Sequence, residues 1–333
     1  MSKLLLLALA LFAPTVPQVA PALTERAKQA DAKWVEITRV VDGDTIHVQL
    51  GGKVEKLRLL CVDTEEKVGS GAASPTKPQT VFGEECALWA QEFFAKLGKD
   101  GAPPKIGLRF PVGREDHRDG FGRLLCHVIL PDGTDYNLML VKLGKSPYFS
   151  KYGYSEIAHT EFVAAQNEAR AKKIGIWDPT TNVPKTPGTP SAARPYDKLL
   201  PWWDLRAEAV RTFGERRAKQ PDSTFEAESG PSLALAVTKA DRVNVFGVID
   251  RVFDETDGSQ TVLFQAAVRD VPFRVRIPKD AVAAHAGLKL AQRTEDFIQN
   301  YMWFRGTVET DGKGYRSTST SPEAWRDGRD PGP

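Results

Sequence analysis

Apolar and polar side chains alternate over residues 34–41 and again over 45–50, on either side of an Asp42-Gly43-Asp44 turn, and the alternation resumes over 54–62. A period of two in three successive stretches predicts a β-meander, each strand turning one face inward. Between residues 67 and 80 Gly, Ser, Ala, Pro and Lys follow one another with no period, which predicts a surface loop. The spacing then becomes helical over 82–97, where Cys86, Leu88, Trp89, Phe93, Phe94 and Leu97 recur at helical intervals. Strand patterns return over 105–110 and 122–130, the second running into a Pro131-Asp132-Gly133 turn, and helical patterns follow over 138–143 and 156–173. Three strands, a helix, two strands and appended helices is the element order of a small Greek-key barrel of the OB type. The fold class expected is therefore mainly β with α.

Beyond Ile176-Trp177 the composition shifts to proline with Thr, Ser and Ala, so residues 179–230 read as a linker carrying one short amphipathic helix over 202–219. Alternation begins again at Val243: strands over 243–253, 261–268 and 272–277, a helical stretch over 280–298, then strands over 301–309 and 315–319. The same coarse order predicts a second OB-like barrel over 231–326. Such barrels bind single strands through aromatic and basic side chains, and Phe264, Phe273, Arg274, Arg276, Trp303 and Arg305 are the candidates here, although aromatics alternating in strands also fill cores.

The first 22 residues carry one lysine, an apolar run from Leu4 to Phe12 and a small-residue site ending Ala20-Pro21-Ala22, the layout of a signal peptide. The run is too short to span a bilayer as a helix. The expected location is secreted or periplasmic. Three cysteines, Cys61, Cys86 and Cys126, allow one disulfide in such a compartment or none, and no CxxC or Cys/His spacing suggests zinc. A formal charge of +2 on 333 residues gives no overall field for a polyanion or an anionic membrane. Chemistry must come from local constellations.

One constellation stands out. Arg58, Leu60 and Val62 share one face of the third strand and Cys61 and Asp63 the other, so the strand end brings Asp63 towards Asp44 on the adjoining hairpin. Two carboxylates with carbonyls and water suit a hard cation, calcium or magnesium. Asp119-Gly120-Phe121-Gly122-Arg123 is a tight entry into the next strand, from which Arg123 can join Arg58 at one phosphate. Glu66 completes the set as a carboxylate able to orient or deprotonate water.

The order of Val40-Val41-Asp42-Gly43-Asp44-Thr45, Arg58-Leu59-Leu60-Cys61-Val62-Asp63-Thr64, Gly122-Arg123-Leu124-Leu125, Asn137 and Gly175-Ile176-Trp177 resembles the staphylococcal nuclease (thermonuclease) family over residues 34–178. The resemblance implies a calcium-dependent nuclease that hydrolyses DNA and RNA, preferably single-stranded, with Arg58, Glu66 and Arg123 catalytic. It makes Asp44, Asp63 and the carbonyl of Thr64 the Ca2+ ligands and puts Asp42 behind them. It gives Phe121, and in the following segment Tyr152, as the rings that stack on substrate. Glu65 stands where the family usually has proline, which adds an acid beside the site and is expected to loosen the turn that holds Glu66. The competing reading is a non-catalytic nucleic-acid-binding or protein-interaction protein with OB platforms. Retention of Glu66, which would repel a phosphate ligand, argues for the enzyme. The partner of the C-terminal half is left unassigned by its sequence.

Overall fold

The computed structural model describes residues 32–69, 71, 74–98, 102–111, 117–119, 121–184, 186, 191–239, 241–266 and 271–332. The expected signal peptide over 1–22 lies outside the described residues. The meander is present as β1 (Lys33–Val40), β2 (Thr45–Leu50) and β3 (Lys53–Leu59), antiparallel neighbours in which Val40 faces Ile46 and Thr45 faces Arg58. A two-residue pair comes next, β4 (Glu66–Lys67) beside β5 (Gln79–Thr80), then α1 (Val81–Leu97), β6 (Lys105–Arg109) and β7 (Leu124–Ile129). β7 lies parallel to β3, and β6 joins β7 to β1, closing a five-stranded barrel in the order β1-β2-β3-β7-β6. Its inward positions are apolar and fully buried, among them Ile46, Val48, Leu57, Leu59, Ile106 and Leu108. Burying each such side chain contributes about 1.5–3 kcal/mol.

β3 ends three residues before the alternation does. The Leu60 N–H still reaches Cys126 O at 3.0 Å, but Cys61 takes φ 64°, and this left-handed residue turns the chain off the barrel and across its rim. Asn137, in α2 (Tyr136–Lys142), fixes that exit: its side-chain amide donates to Leu60 O at 2.8 Å and to Cys126 O, and its carbonyl accepts the Val128 N–H at 3.1 Å. A fully buried asparagine thus ties the end of β3 to β7. α3 (His159–Ala171) packs on α2. Beneath α2, the ring of buried His127 meets the Asp135 carboxylate at 2.9 Å. Burial alone would lower the histidine, yet Asp135 outweighs it and raises it to about 10.

The helix expected over 202–219 begins earlier, as α4 (Tyr196–Lys219), and runs through Pro201, whose missing N–H leaves one intrahelical bond unmade. It bridges the two halves of the chain. Trp203 packs edge-on to Phe149 at 4.8 Å, Trp202 donates to Ile298 O at 2.6 Å, and Arg206 reaches both Lys151 O and the side chain of Asn300.

The C-terminal half contains β8 (Thr224–Glu226), α5 (Gly230–Val237), β9 (Val243–Asp254), β10 (Gln260–Phe264), β11 (Phe273–Ile277), α6 (Lys279–His285), β12 (Tyr301–Gly306), β13 (Glu309–Thr310), β14 (Tyr315–Thr318) and β15 (Trp325–Asp327). β9 pairs with β10 along one half and with β12 along the other, and β11 lies parallel to β14. This is the pairing of the first unit without its closure: β12 takes β15 as its other neighbour, and the strands form one eight-stranded sheet. The expected long helix over 280–298 stops at His285 and gives way to two 3-10 turns, since Gly287 weakens the helix and Lys289 is left-handed at φ 52°. Phe264, Phe273 and Trp303 are core residues rather than a stacking surface. All three cysteines are free thiols; Cys86 and Cys126 are buried, and burial pushes Cys86 up to about 12. Among the described residues no helix is long and apolar enough to cross a membrane.

Candidate active site

The β2–β3 register sets Thr45 opposite Arg58, so Asp44, one residue earlier, lies beside the Arg58 guanidinium at the barrel rim. Arg58 meets Asp44 Oδ2 at 2.9 Å through Nη1 and Asp63 Oδ1 at 2.6 Å through Nη2, and also donates to Val62 O at 3.0 Å. Its charge is desolvated, but the two aspartates more than offset that and hold it protonated. Phe149 closes the other side, its ring centre 5.9 Å from the guanidinium carbon.

Local chemistry holds the two aspartates. The hydroxyl of Ser146 accepts the Asp63 N–H at 2.8 Å, and Asp44 Oδ2 accepts the Thr64 N–H at 2.8 Å. Gly43 makes this approach possible, because a Cβ there would stand 2.6 Å from Thr64 Cγ2 and 3.0 Å from Cys86 Sγ. Asp42 sits behind Asp44, accepting its N–H at 3.1 Å. Burial, and then the charge of Asp44, push the Asp42 carboxyl up to about 7. The rim therefore carries more acid than Arg58 alone balances.

Glu65 behaves otherwise than its type suggests. Its carboxylate turns inward and accepts from Thr80 Oγ1 at 2.6 Å, Asn182 Nδ2 at 3.0 Å and Tyr196 Oη at 3.0 Å. Thr80 in turn caps α1 by accepting the Gly83 N–H at 3.0 Å. The acid where the family usually has proline thus ties the turn to the helix start and to α4, and the expected loosening is absent. Glu66, next along, is held against α1: a Cβ on Gly83 would lie 2.2 Å from Glu66 O.

The remaining expected residues stand further out. Arg123 gives its guanidinium to Asp119, at 2.7 Å from both Nε and Nη2, and lies over the Phe121 ring at 5.5 Å. It is thus committed to its own turn rather than gathered with Arg58. Phe121 is 87% exposed and Tyr152 65%, the latter edge-on to Phe149, so both rings are free to meet a ligand.

Two residues absent from the sequence-based set complete the cluster. Lys77, from the aperiodic loop, reaches Asp63 Oδ1 at 3.0 Å and Glu66 Oε1 at 2.9 Å. Arg194, from the proline-rich segment, pairs with Asp63 Oδ2 and donates to Asp63 O at 3.0 Å and Thr76 O at 2.9 Å. Lys77, Arg194 and Arg58 together hold the Asp63 carboxyl well below the usual range against the cost of burying it. Nothing in the local pattern marked either residue, because each lies where no period constrains the chain.

Among the described residues no three acidic, histidine or cysteine side chains form a ready cage for a metal. The donors at the rim, Asp44, Asp63 and the adjoining main chain at Thr64, are oxygen-only and carry an acidic excess, which suits a hard cation.

Residues 56–179 match the model of the staphylococcal nuclease homologue family. The chain is 33% identical over 155 residues to "Endonuclease YhcR" of Bacillus subtilis (strain 168), covering 44% of this chain and 12% of that protein. It is 32% identical over 143 residues to "SPbeta prophage-derived endonuclease YokF" of the same organism, 43% of each. With "Thermonuclease" of Staphylococcus hyicus it shares 29% identity over 151 residues, 44% of this chain and 78% of that one. The chain spans less than half the length of the two Bacillus endonucleases.

Proposed function

We propose, from the fact that residues 56–179 belong to the staphylococcal nuclease family, that this protein is an exported nuclease that hydrolyses phosphodiester bonds of DNA and RNA, preferably single-stranded, with calcium. Nucleases of this family are generally metal-dependent. The observation that carries the reading is Arg58, desolvated and held between Asp44 and Asp63 at 2.9 and 2.6 Å on the rim of the closed barrel. The signal-like segment over 1–22 supports export.

Asp44, Asp63 and the Thr64 carbonyl would hold the ion, with Asp42 supporting Asp44. When bound it supplies positive charge to the oxygens of the scissile phosphate. Arg58 presents a planar fork of donors matched to phosphate, and because Asp44 and Asp63 fix it beforehand, little reorganisation is needed as charge develops on phosphorus. Arg123 acts as the second guanidinium after exchanging Asp119 for phosphate. Glu66 accepts the proton of the attacking water, its carboxylate freed from Lys77. Phe121 and Tyr152, both exposed, stack on bases, an interaction that tolerates any sequence.

The test is hydrolysis of heat-denatured DNA and of RNA with calcium, with magnesium and with a chelator, beside Glu66→Gln. Calcium-dependent cleavage missing in the variant is expected. A folded, calcium-bound protein that binds single strands without cutting them would favour the non-catalytic reading.

A further inference from the structure

Asp63 is surrounded by more cations than a metal ligand needs. Arg58 and Lys77 share Oδ1, at 2.6 and 3.0 Å, and Arg194 holds Oδ2 and the main-chain carbonyl. Lys77 also spans to Glu66 at 2.9 Å, so one ammonium joins the expected ion ligand to the expected base. The three cations differ in how they are held. The Arg194 side chain is 3% exposed, makes three hydrogen bonds and lies over the rings of Tyr196 and Trp203 at 5.5 and 5.4 Å. Arg58 is fixed by two carboxylates and a carbonyl. Lys77 is 22% exposed and is held by the two carboxylates alone among its ion pairs, on a flexible four-carbon stem.

The backbone beneath Lys77 does not need to move for the ammonium to leave. Ser74 and Lys77 exchange main-chain hydrogen bonds at 3.1 and 3.0 Å, and Arg194 pins the carbonyl of Thr76. Only the side chain has to swing. With Asp42 ionised, Asp42, Asp44, Asp63 and Glu66 face Arg58, Lys77 and Arg194, and replacing Lys77 by a divalent ion takes the cluster to neutrality. Keeping Lys77 would crowd a third cation onto an oxygen that Arg58 and Lys77 already share.

We propose that Lys77 is the resident counter-ion of Asp63 and Glu66, that a divalent ion binds this site by displacing it, and that Arg194 stays on Asp63 in both states as a positioning residue. The inference rests on the reading that the site takes calcium. Displacement has two consequences at once: it opens Asp63 to the ion and releases Glu66 from its ammonium partner. Ion entry and unmasking of the base are then a single event. Arg194 meanwhile makes the segment after the nuclease domain part of the site, since it carries both Asp63 and the carbonyl next to Lys77.

The test uses the full chain. Calorimetric titration with Ca2+ is run on the unmodified protein, on Lys77→Gln and on Lys77→Met, each checked for folding by circular dichroism. Both variants are expected to bind Ca2+ about tenfold more tightly, because the competing ammonium is gone. In parallel, acetylation of Lys77 by an amine reagent is followed by mass spectrometry and is expected to be slow in chelator and fast at saturating Ca2+. That arm needs no variant. Equal or weaker binding in both variants, or a Lys77 that stays shielded when Ca2+ is bound, overturns the displacement. If no form binds Ca2+, the calcium reading itself fails and the displacement with it, an outcome distinct from equal binding by all three.

Discussion

Both halves of the chain contain a three-stranded meander, β1-β2-β3 and β9-β10-β11, that sets an arginine of its third strand against an aspartate of its first hairpin, and only one of the two arginines gathers a second acid. In the N-terminal barrel Arg58 of β3 meets Asp44; in the C-terminal sheet Arg276 of β11 meets Asp257 at 2.5 Å. The Arg58 side chain is 13% exposed and has a second carboxylate, whereas that of Arg276 is 58% exposed and Asp257 is its single ion-pair partner among the described residues. The two arginines part company at the C-terminal ends of their strands. After β3 the left-handed Cys61 carries the chain across the rim and delivers Asp63 to the arginine, with Thr64 bonded to Asp44 and Glu66 to Lys77. After β11, Pro278 leads directly into α6, and among the described residues no second acid pairs with Arg276. The strand order supplies a place at the rim, and the segment leaving the third strand decides whether chemistry is built there.

Closure separates the halves in the same sense. β6 and β7 pair and seal the first barrel, whereas β12 gives that edge to β15. β3 and β11 each lie between two neighbours, but only β3 has the Asn137 side chain locking the point where it leaves.

The comparison breaks most severely at Arg58. Arg58→Ala removes the phosphate fork and leaves Asp44 and Asp63 less balanced, so turnover is expected to fall by about 10²–10³-fold with the fold retained. Single-turnover rates on a short oligonucleotide check this, and near-normal turnover would remove Arg58 from the mechanism.

Next comes the buried pair that supports the barrel floor. His127→Ala leaves the Asp135 carboxylate buried without its cation, at a cost of about 3–5 kcal/mol in denaturant unfolding. The same pair gives a pH dependence. His127 is raised above its unfolded value, so its contribution is fully present below about pH 6.5, its ordinary value. That contribution is lost as pH rises towards about 10. Asp135 is lowered, after burial, by His127, and so its own contribution disappears in acid. The melting temperature of the first unit should decline between pH 6.5 and 10, and a flat profile would contradict the pairing.

Gly83→Ala tests how Glu66 is placed. Its Cβ would meet Glu66 O at 2.2 Å, so either α1 or the Glu66 backbone must shift. We expect a loss of about 1–3 kcal/mol in stability and a fall in kcat with little change in KM. Activity unchanged at the lower stability would show that the position of Glu66 is not critical.

These residues also mark how far the sequence could be read. Asp44, Arg58 and Asp63 were legible because a period of two and one turn fix which side chains share a rim, and Asn137 and Gly43 stood in motifs of fixed order. Lys77 and Arg194 were not legible, because each comes from a segment without periodicity and acts through a contact distant in the chain, 14 residues away for Lys77 and 131 for Arg194. Arg123 was legible as a strand-entry arginine, but its attachment to Asp119 follows from a local turn whose geometry alternation does not specify. Likewise the C-terminal strand order could be read from pattern, whereas the choice of β15 over β14 as neighbour of β12 depends on packing. Glu65 shows the same limit in one residue: its charge was plain, and its direction was set by Thr80, Asn182 and Tyr196 from three separate segments.

The smallest effect is expected where the second half repeats the motif without the site. Arg276→Ala deletes a third-strand arginine and its pairing with a hairpin aspartate, as Arg58→Ala does, but the pair is solvent-exposed and screened. Hydrolysis should stay within about twofold of the parent and the melting temperature should not move measurably. Running the two variants side by side on the same oligonucleotide makes this a test of the comparison itself. A large loss from Arg276→Ala on long single strands, with short substrates unaffected, would mean that the open sheet contacts the strand after all, and that this face is a binding surface rather than an unused copy of the proposed site.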